Sequence, residues 1–508
     1  MTATRILVIC SAALLLAAAT PRPALDPDTA AWWKITAQLS DDAMEGRDTG
    51  SPAYERAARL VGSKFAAAGL QPAGNDGSWY QRVPMREIAV TRATIKVGDR
   101  PLTFLHELTV APTVGMPNRV SAALAYRGYC APPSLGDVHG KIVICHGTRR
   151  AGLPGSADRE AAVRAAGAAG MLTIADPGFT VEPPRWPYAY ARTVTLASET
   201  PKPDSFLKMT LNAASLGKLL PGSGQKAAAL IAAGSAARPL PSFDVPAPFR
   251  AVFTTRARDI SSPNVVAMLP GSDPALTNQA IVLTAHLDGY GYGEPVNGDR
   301  LYNGTLDDAA YVALLIRLAE RSRPGEFRRP ILFLVVTGEE KGLLGSRWFV
   351  QHPTLPLSRI AADINLDQLR PIFPLELLTV HALDDTSLGE DVRAVAQSLG
   401  IAVQKDPEPE RTLLQRSDNW PFMQAGIPAT GFVFGYRPGS RSERIYRQWY
   451  RTGYHKPQDD LKQPMDWKAA ADFNRFFYQL VERVADQPNA PAWKQGSPFH
   501  RELRKTSR

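Results

Sequence analysis

From Asn264 onward the chain alternates short, almost unbroken apolar runs with longer stretches whose apolar positions recur every three or four residues. The runs cover 280–285, 331–336, 360–366, 377–382 and 430–434. They lack the polar alternation of a half-exposed strand, so they predict strands covered on both faces. The periodic stretches 309–321 and 388–399 predict the covering helices, each a right-handed crossover between parallel strands. The pattern as a whole predicts an α/β fold: a doubly wound, mixed but mostly parallel sheet with helices on both faces.

Upstream the pattern changes twice. Ser51-Pro52 opens a helix, with Ser as cap and Pro in the first turn; Leu60, Val61, Phe65 and Ala68 form its apolar stripe and Gly69 closes it. A β-like run follows at 89–97. Between 101 and 250 the character is different: a compact strand at 140–145, an Ala-rich helical stretch at 159–170, a second strand at 171–175, then Pro-rich irregular segments at 182–187 and 239–248. This predicts an inserted domain with its own small α/β core and a linker at each end. The main domain is then split, with residues 20–100 as its first part and 251–487 as its second, followed by a basic tail at 488–508.

Residues 1–19 read as an export signal, with Arg5 ahead of the apolar stretch 6–16 and Ala17-Ala18-Ala19 at the cleavage site. The expected product is exported, periplasmic or secreted, and begins near Thr20. Cys10 does not make it a lipoprotein, because Ile9 stands where such signals need a small residue. No later run approaches the roughly 18 apolar residues of a spanning helix, so no stable membrane insertion is expected.

A length of 508 residues suits two or more domains, and 44% hydrophobic with 21% charged residues is the make-up of a folded protein. The formal charge of +9 does not predict a nucleic-acid partner. Part of the excess lies in the tail 500–508, and no Lys/Arg cluster elsewhere is interleaved with aromatics. Past the signal only Cys130 and Cys145 remain, compatible with a disulfide in an oxidising compartment or with two buried thiols. His106, His139 and His146 have no carboxylate at ligand spacing and read as structural or surface residues.

Ligands of doubly wound sheets bind beyond the carboxyl ends of the strands. There the chain places His286-Leu-Asp288, Asp307-Asp308, Gly338-Glu339-Glu340 and Asn365-Leu-Asp367, with Tyr454-His455 in an irregular segment further on. Two imidazoles and three carboxylates, His286, Asp307, Glu340, Asp367 and His455, suit a pair of zinc ions, and the absence of nearby Cys argues against a purely structural site. Asp307 is the candidate bridge, since a carboxylate can span two ions. Glu339, expected to point away from Glu340 on an extended strand end, is free to serve as general base. Asp288 is expected to hold the second N–H of His286. The run Gly289-Tyr-Gly-Tyr-Gly293 reads as a loop bordering the site, because no helix follows it as a dinucleotide fingerprint requires.

At these residues the sequence resembles the clan MH metallopeptidase family that includes bacterial dizinc aminopeptidases and glutamate carboxypeptidase. The resemblance rests on Ala285-His-Leu-Asp288, Tyr302-Asn-Gly-Thr-Leu-Asp-Asp308, Thr337-Gly-Glu-Glu-Lys-Gly-Leu-Leu-Gly-Ser346, Asn365-Leu-Asp367, Ser417-Asp-Asn-Trp-Pro-Phe422 with Gly426-Ile-Pro428, and Tyr454-His455. It implies two zinc ions, one taking His286 and Asp367, the other Glu340 and His455, with Asp307 shared. It further implies Glu339 as base, Tyr454 as a stabiliser of the tetrahedral oxyanion, peptide substrates, and a protease-associated domain at 101–250. Many relatives read Asp-Asn-Ala-Ser-Gly where this chain has Asp307-Asp-Ala-Ala-Tyr311, which implies altered packing near the helix start. The leading expectation is an aminopeptidase; a carboxypeptidase, a single-zinc glutaminyl cyclase and a non-catalytic binding module are the alternatives on the same scaffold.

Overall fold

The computed structural model describes residues 25–148, 150, 152–175, 186–367 and 370–500, so the expected export signal and the end of the basic tail lie outside the described residues. Helix α1 (Pro27–Leu39) is capped by Asp26, and α2 (Pro52–Ala67) by Ser51, whose hydroxyl accepts the Tyr54 N–H; Gly69 ends α2 with φ 81°. A long strand β1 (Tyr80–Val97) leads into the inserted region. That region contributes β2 (Arg119–Arg127), β3 (Ile142–His146), β4 (Gly170–Ala175) and β5 (Leu207–Asn212), each parallel to the next. The chain returns through β6 (Ser242–Leu269), a strand of 28 residues.

The main sheet follows as β7 (Ala280–His286), β8 (Ile331–Val336), β9 (Ile360–Asn365), β10 (Leu377–His381), β11 (Ala402–Gln404) and β12 (Ala429–Phe434). Their order in space is β11-β10-β12-β9-β7-β8-β6. The pairs β7/β8, β7/β9, β9/β12 and β10/β11 are parallel, while β10/β12 and β6/β8 are antiparallel. Helices α3 (Ala310–Arg321), α4 (Leu388–Ser398), α5 (Arg441–Thr452) and α6 (Trp467–Asp486) complete the layers. Each predicted strand and helix of this half lies within one residue of its observed ends. The α6 stripe Phe473, Phe476, Phe477, Leu480, Val481 and Val484 is fully buried, and each such side chain stabilises the fold by about 1.5–3 kcal/mol.

The region between β1 and β6 packs together with residues on both sides of 101–250. Its apolar core recruits Val90, Ile95 and Val97 before residue 101 and Ala251 and Phe253 after residue 250. The segment 239–248, predicted irregular from its prolines, is strand from Ser242; Pro246 and Pro248 lack N–H donors, and the ladder with β2 skips between Val245 and Phe249. The Ala-rich helix is Ser156–Ala165, starting earlier because Asp158 takes the Gly155 N–H and stopping before Gly167, which has φ 73°. Cys130 and Cys145 are joined as a disulfide with Cα atoms 5.5 Å apart. His106 pairs with Glu294 at 2.8 Å, His139 is exposed and His146 is buried beside Tyr129, all outside the metal-competent groupings of the described residues.

Arg47 ties the loops above the sheet together. Its guanidinium, fully buried, donates to the carbonyls of Leu39, Leu287, Asn303 and Gly304 at 2.7–2.8 Å. Gly46, with φ 66°, permits this: a Cβ there would fall 2.3 Å from the Tyr302 carbonyl oxygen. Burial pulls the Arg47 guanidinium down only to about 10, so it stays charged at neutral pH. Arg47→Met leaves four carbonyls without a donor, at about 1–3 kcal/mol each. Urea unfolding should show a loss of at least about 4 kcal/mol, of which Arg47→Lys recovers only part because an ammonium lacks the planar fork.

A pH dependence comes from His381 at the end of β10. Burial lowers its imidazole to about 4, so the folded protein holds it neutral while the unfolded chain protonates near 6.5. Its stabilising share is whole above 6.5 and is lost as pH falls toward 4. Between pH 7 and 4.5, His381→Gln should lose about 2 to 3 kcal/mol less stability than the parent in denaturant titrations.

Candidate metal centre

The five predicted ligands converge. His286 closes β7, Asp367 follows β9 by two residues, and Asp307 sits in the tight turn Thr305–Ala309 that starts α3. Glu340 lies in the turn Glu339–Lys341 after β8, and His455, with φ 53°, follows α5. Two groups of ligand atoms each fall within 4.8 Å of one another: His286, Asp307 and Asp367, and Asp307, Glu340 and His455. Asp307 belongs to both. Its Oδ1 is 3.3 Å from Nε2 of His286, and its Oδ2 is 3.4 Å from Nε2 of His455. Nε2 of His455 is also 3.6 Å from Oε1 of Glu340.

Other expected placements are different. Glu339 and Glu340 are not on an extended strand: Gly338, with φ 68°, turns the chain left-handed and both acids sit in one 3-10 turn. Glu339 still stands outside both ligand groups, on the wall of the cleft. The imidazole N–H of His286 is taken by the main-chain carbonyl of Asp288 at 3.0 Å, while the nearer Asp288 carboxylate oxygen is 3.9 Å away. That carboxylate accepts from the N–H groups of Glu339 and Glu340 and from the Thr49 hydroxyl, so it shapes the Glu-Glu turn. Tyr454 lines the cleft and stacks on His455 with ring centroids 3.6 Å apart. Asp308 is buried and accepts the His286 main-chain N–H at 3.3 Å; Tyr311 fills the core.

Four contributors were not singled out by sequence. The Asp459 carboxylate takes the N–H groups of Leu306 and Asp307 at 2.9 and 3.0 Å, fixing the turn that presents Asp307. Arg370 is buried 3.8 Å from Oδ2 of Asp307, under the rings of Trp449, Tyr450 and Tyr454 at 4.3, 5.0 and 5.2 Å. Tyr290, from the Gly-rich loop, donates to Glu340 and lies against His455. Tyr190 reaches His455 from the inserted region. Tyr290 carried a signal, lying in the Gly-rich loop read as bordering the site.

The electrostatics call for cations. Burial raises the carboxyls of Glu339 and Asp308 well above their usual range, raises Asp367, and takes Glu340 up to about 7. Burial opposes charge on His286, yet Asp308, Glu339, Asp307 and Asp367 around it push it well upward. Burial also opposes charge on Asp307, but the imidazoles of His286 and His455 and the charge of Arg370 hold it well below the usual range. Buried oxygens of Asp307, Glu340 and Asp367, one each, have no hydrogen-bond partner. Unpartnered carboxylate oxygens aimed at imidazole nitrogens fit a pair of borderline-hard divalent ions. The cleft beside them holds about 570 Å³.

The model of Peptidase family M28 matches residues 264–481. Among individual proteins, the chain is 26% identical over 212 residues to a probable leucine aminopeptidase 2 of Aspergillus oryzae, covering 39% of this chain and 40% of that one. It is 25% identical over 252 residues to leupeptin-inactivating enzyme 1 of Streptomyces exfoliatus, covering 47% and 53%. The chain thus spans about half or less of the length of these relatives. Among solved structures, a zinc aminopeptidase from Bacillus subtilis superposes with a TM-score of 0.60 at 18% identity, over 91% of this chain and 96% of that one, and shares the fold. An aminopeptidase from Aneurinibacillus sp. strain AM-1 gives a TM-score of 0.58 at 18% identity, over 91% and 95%. The stretch matched by the family model contains all five converging residues and Glu339.

Proposed function

We propose that the protein is an exported, zinc-dependent exopeptidase that removes N-terminal amino acids from peptides. The observation that carries this reading is the pair of ligand groups sharing Asp307, with Glu339 beside them and in neither. His286 and Asp367 would hold one ion and Glu340 and His455 the other, with Asp307 contributing to both. Zinc held there would supply a water of lowered pKa, about 7, and a Lewis acid for the scissile carbonyl. Glu339 takes the proton of the attacking water on its carboxylate and passes it to the departing amine. Asp288 and Gly338 set the turn that aims Glu339, and Asp459 and Arg47 hold the loops that present the ligands. Tyr454, on the cleft wall, offers its hydroxyl to the carbonyl oxygen as charge develops on it.

The names of the relatives, aminopeptidases among them, support the N-terminal reading. The Cys130–Cys145 disulfide suits an oxidising compartment and supports export. The region between β1 and β6 serves as a protease-associated domain, with a core of its own and one wall of the cleft.

Glu339→Gln should lower kcat for aminoacyl-nitroanilides by about 10²- to 10⁴-fold with metal content unchanged. Near-parental turnover in the metal-loaded variant would exclude the mechanism. A chelator should abolish activity and lower the melting temperature, and readdition of zinc should restore both. N-blocked peptides should resist cleavage; their hydrolysis in place of free-amine substrates would assign the enzyme to the other peptide end.

A further inference from the structure

The cleft is not built from the family-matched stretch alone. Its wall includes Ala189, Tyr190, Arg192, Thr193 and Val194, all from the inserted region. Within that stretch Tyr190 is the residue that touches the centre: its hydroxyl oxygen lies 3.0 Å from Nδ1 of His455. The His455 nitrogen facing Asp307 and Glu340 is Nε2, so Nδ1 is the one left to be fixed by a neighbour. A metal-binding imidazole depends on such a neighbour for its tautomer and ring orientation.

Two hydroxyls compete for that role. The Tyr290 oxygen is 3.1 Å from Nδ1 and 3.2 Å from Nε2. An oxygen almost equidistant from both ring nitrogens cannot lie on the in-plane N–H axis of either. Tyr290 also spends its own proton on Glu340. Tyr190 is therefore the hydroxyl placed to accept the Nδ1 proton.

The segment carrying Tyr190 is pinned to the main domain on both sides. Lys341, the residue after Glu340, donates to the Ala189 carbonyl at 3.0 Å. Arg192 pairs with Asp48 and, at 2.8 Å, with the buried carboxylate of Glu87. The rings of Tyr190 and Tyr290 meet at 5.3 Å, and Ala189 packs with Tyr290 and Tyr302. The hydroxyl is thus held at His455 by contacts that do not include the hydroxyl itself, so removing it need not disturb the segment.

We propose that Tyr190 is a positioning residue of the metal centre, through which the inserted domain completes the Glu340–His455 site by accepting the Nδ1 proton of His455. The inference rests on the reading of His455 as a ligand, and it makes that site, not the His286–Asp367 site, dependent on the insert.

The test is zinc binding by full-length Tyr190→Phe, measured by competition with a chromophoric chelator, with Tyr188→Phe as control because Tyr188 is exposed in the same turn. Tyr190→Phe should bind one zinc as the parent does and the second about 10- to 100-fold more weakly, with the apo-protein melting temperature little changed and Tyr188→Phe like the parent. Cobalt in place of zinc should show altered visible absorption for the second equivalent only. Two unweakened zinc ions and an unchanged cobalt spectrum in Tyr190→Phe overturn the proposal, as does equal weakening of both ions. The readout needs no turnover: a parent that binds two ions but cleaves no peptide defeats the peptidase reading and leaves this one standing, while a parent that binds none defeats both.

Discussion

Anionic crowding governs this molecule. Asp307, Asp308, Glu339, Glu340 and Asp367 gather at one edge of a sheet whose strands are covered on both faces, where water screens little of their mutual repulsion. A fold can keep such a grouping only by surrounding it with positive charge and N–H donors. Arg370, caged by aromatic rings near Asp307, and two imidazoles facing the shared acid supply positive charge, while the carboxylates of Asp459 and Asp288 fix the turns through main-chain N–H groups and add to the negative charge.

The aromatic cage around Arg370 belongs to the same logic. A guanidinium stacked on Trp449, Tyr450 and Tyr454 keeps its positive charge 3.8 Å from the Asp307 carboxylate. Tyr454 consequently faces two ways, one ring face toward the cage and its neighbour His455 stacked against it.

Much of the main domain was legible in the sequence because unbroken apolar runs such as 331–336 have few alternatives to a doubly covered strand. Function at strand exits then followed from topology, and His286, Asp307, Glu340, Asp367 and His455 meet where that rule puts them. What escaped was decided by backbone geometry or by distant contacts. The Glu339–Glu340 turn depends on a left-handed Gly338, and the partner of the His286 imidazole is a carbonyl, which has no residue signature. Tyr190 lies 265 positions before His455, just past the Pro-rich segment 182–187, predicted irregular. Arg47 looks like any surface arginine until its four carbonyls are seen. The limits of the insert were blurred because β6 serves both cores without interruption.

That shared strand has mechanical meaning. β1 and β6 run antiparallel from Tyr80 against Val265 to Val97 against Phe249, and on its other edge β1 pairs through Met85–Ala89 with the strand Arg192–Leu196. At its middle the ladder is thus three strands wide, and such a sheet twists less than a two-stranded ribbon. The cleft wall at Arg192–Val194 therefore belongs to the same ladder as β1 and β6, braced against the main sheet instead of hung from a loose tether.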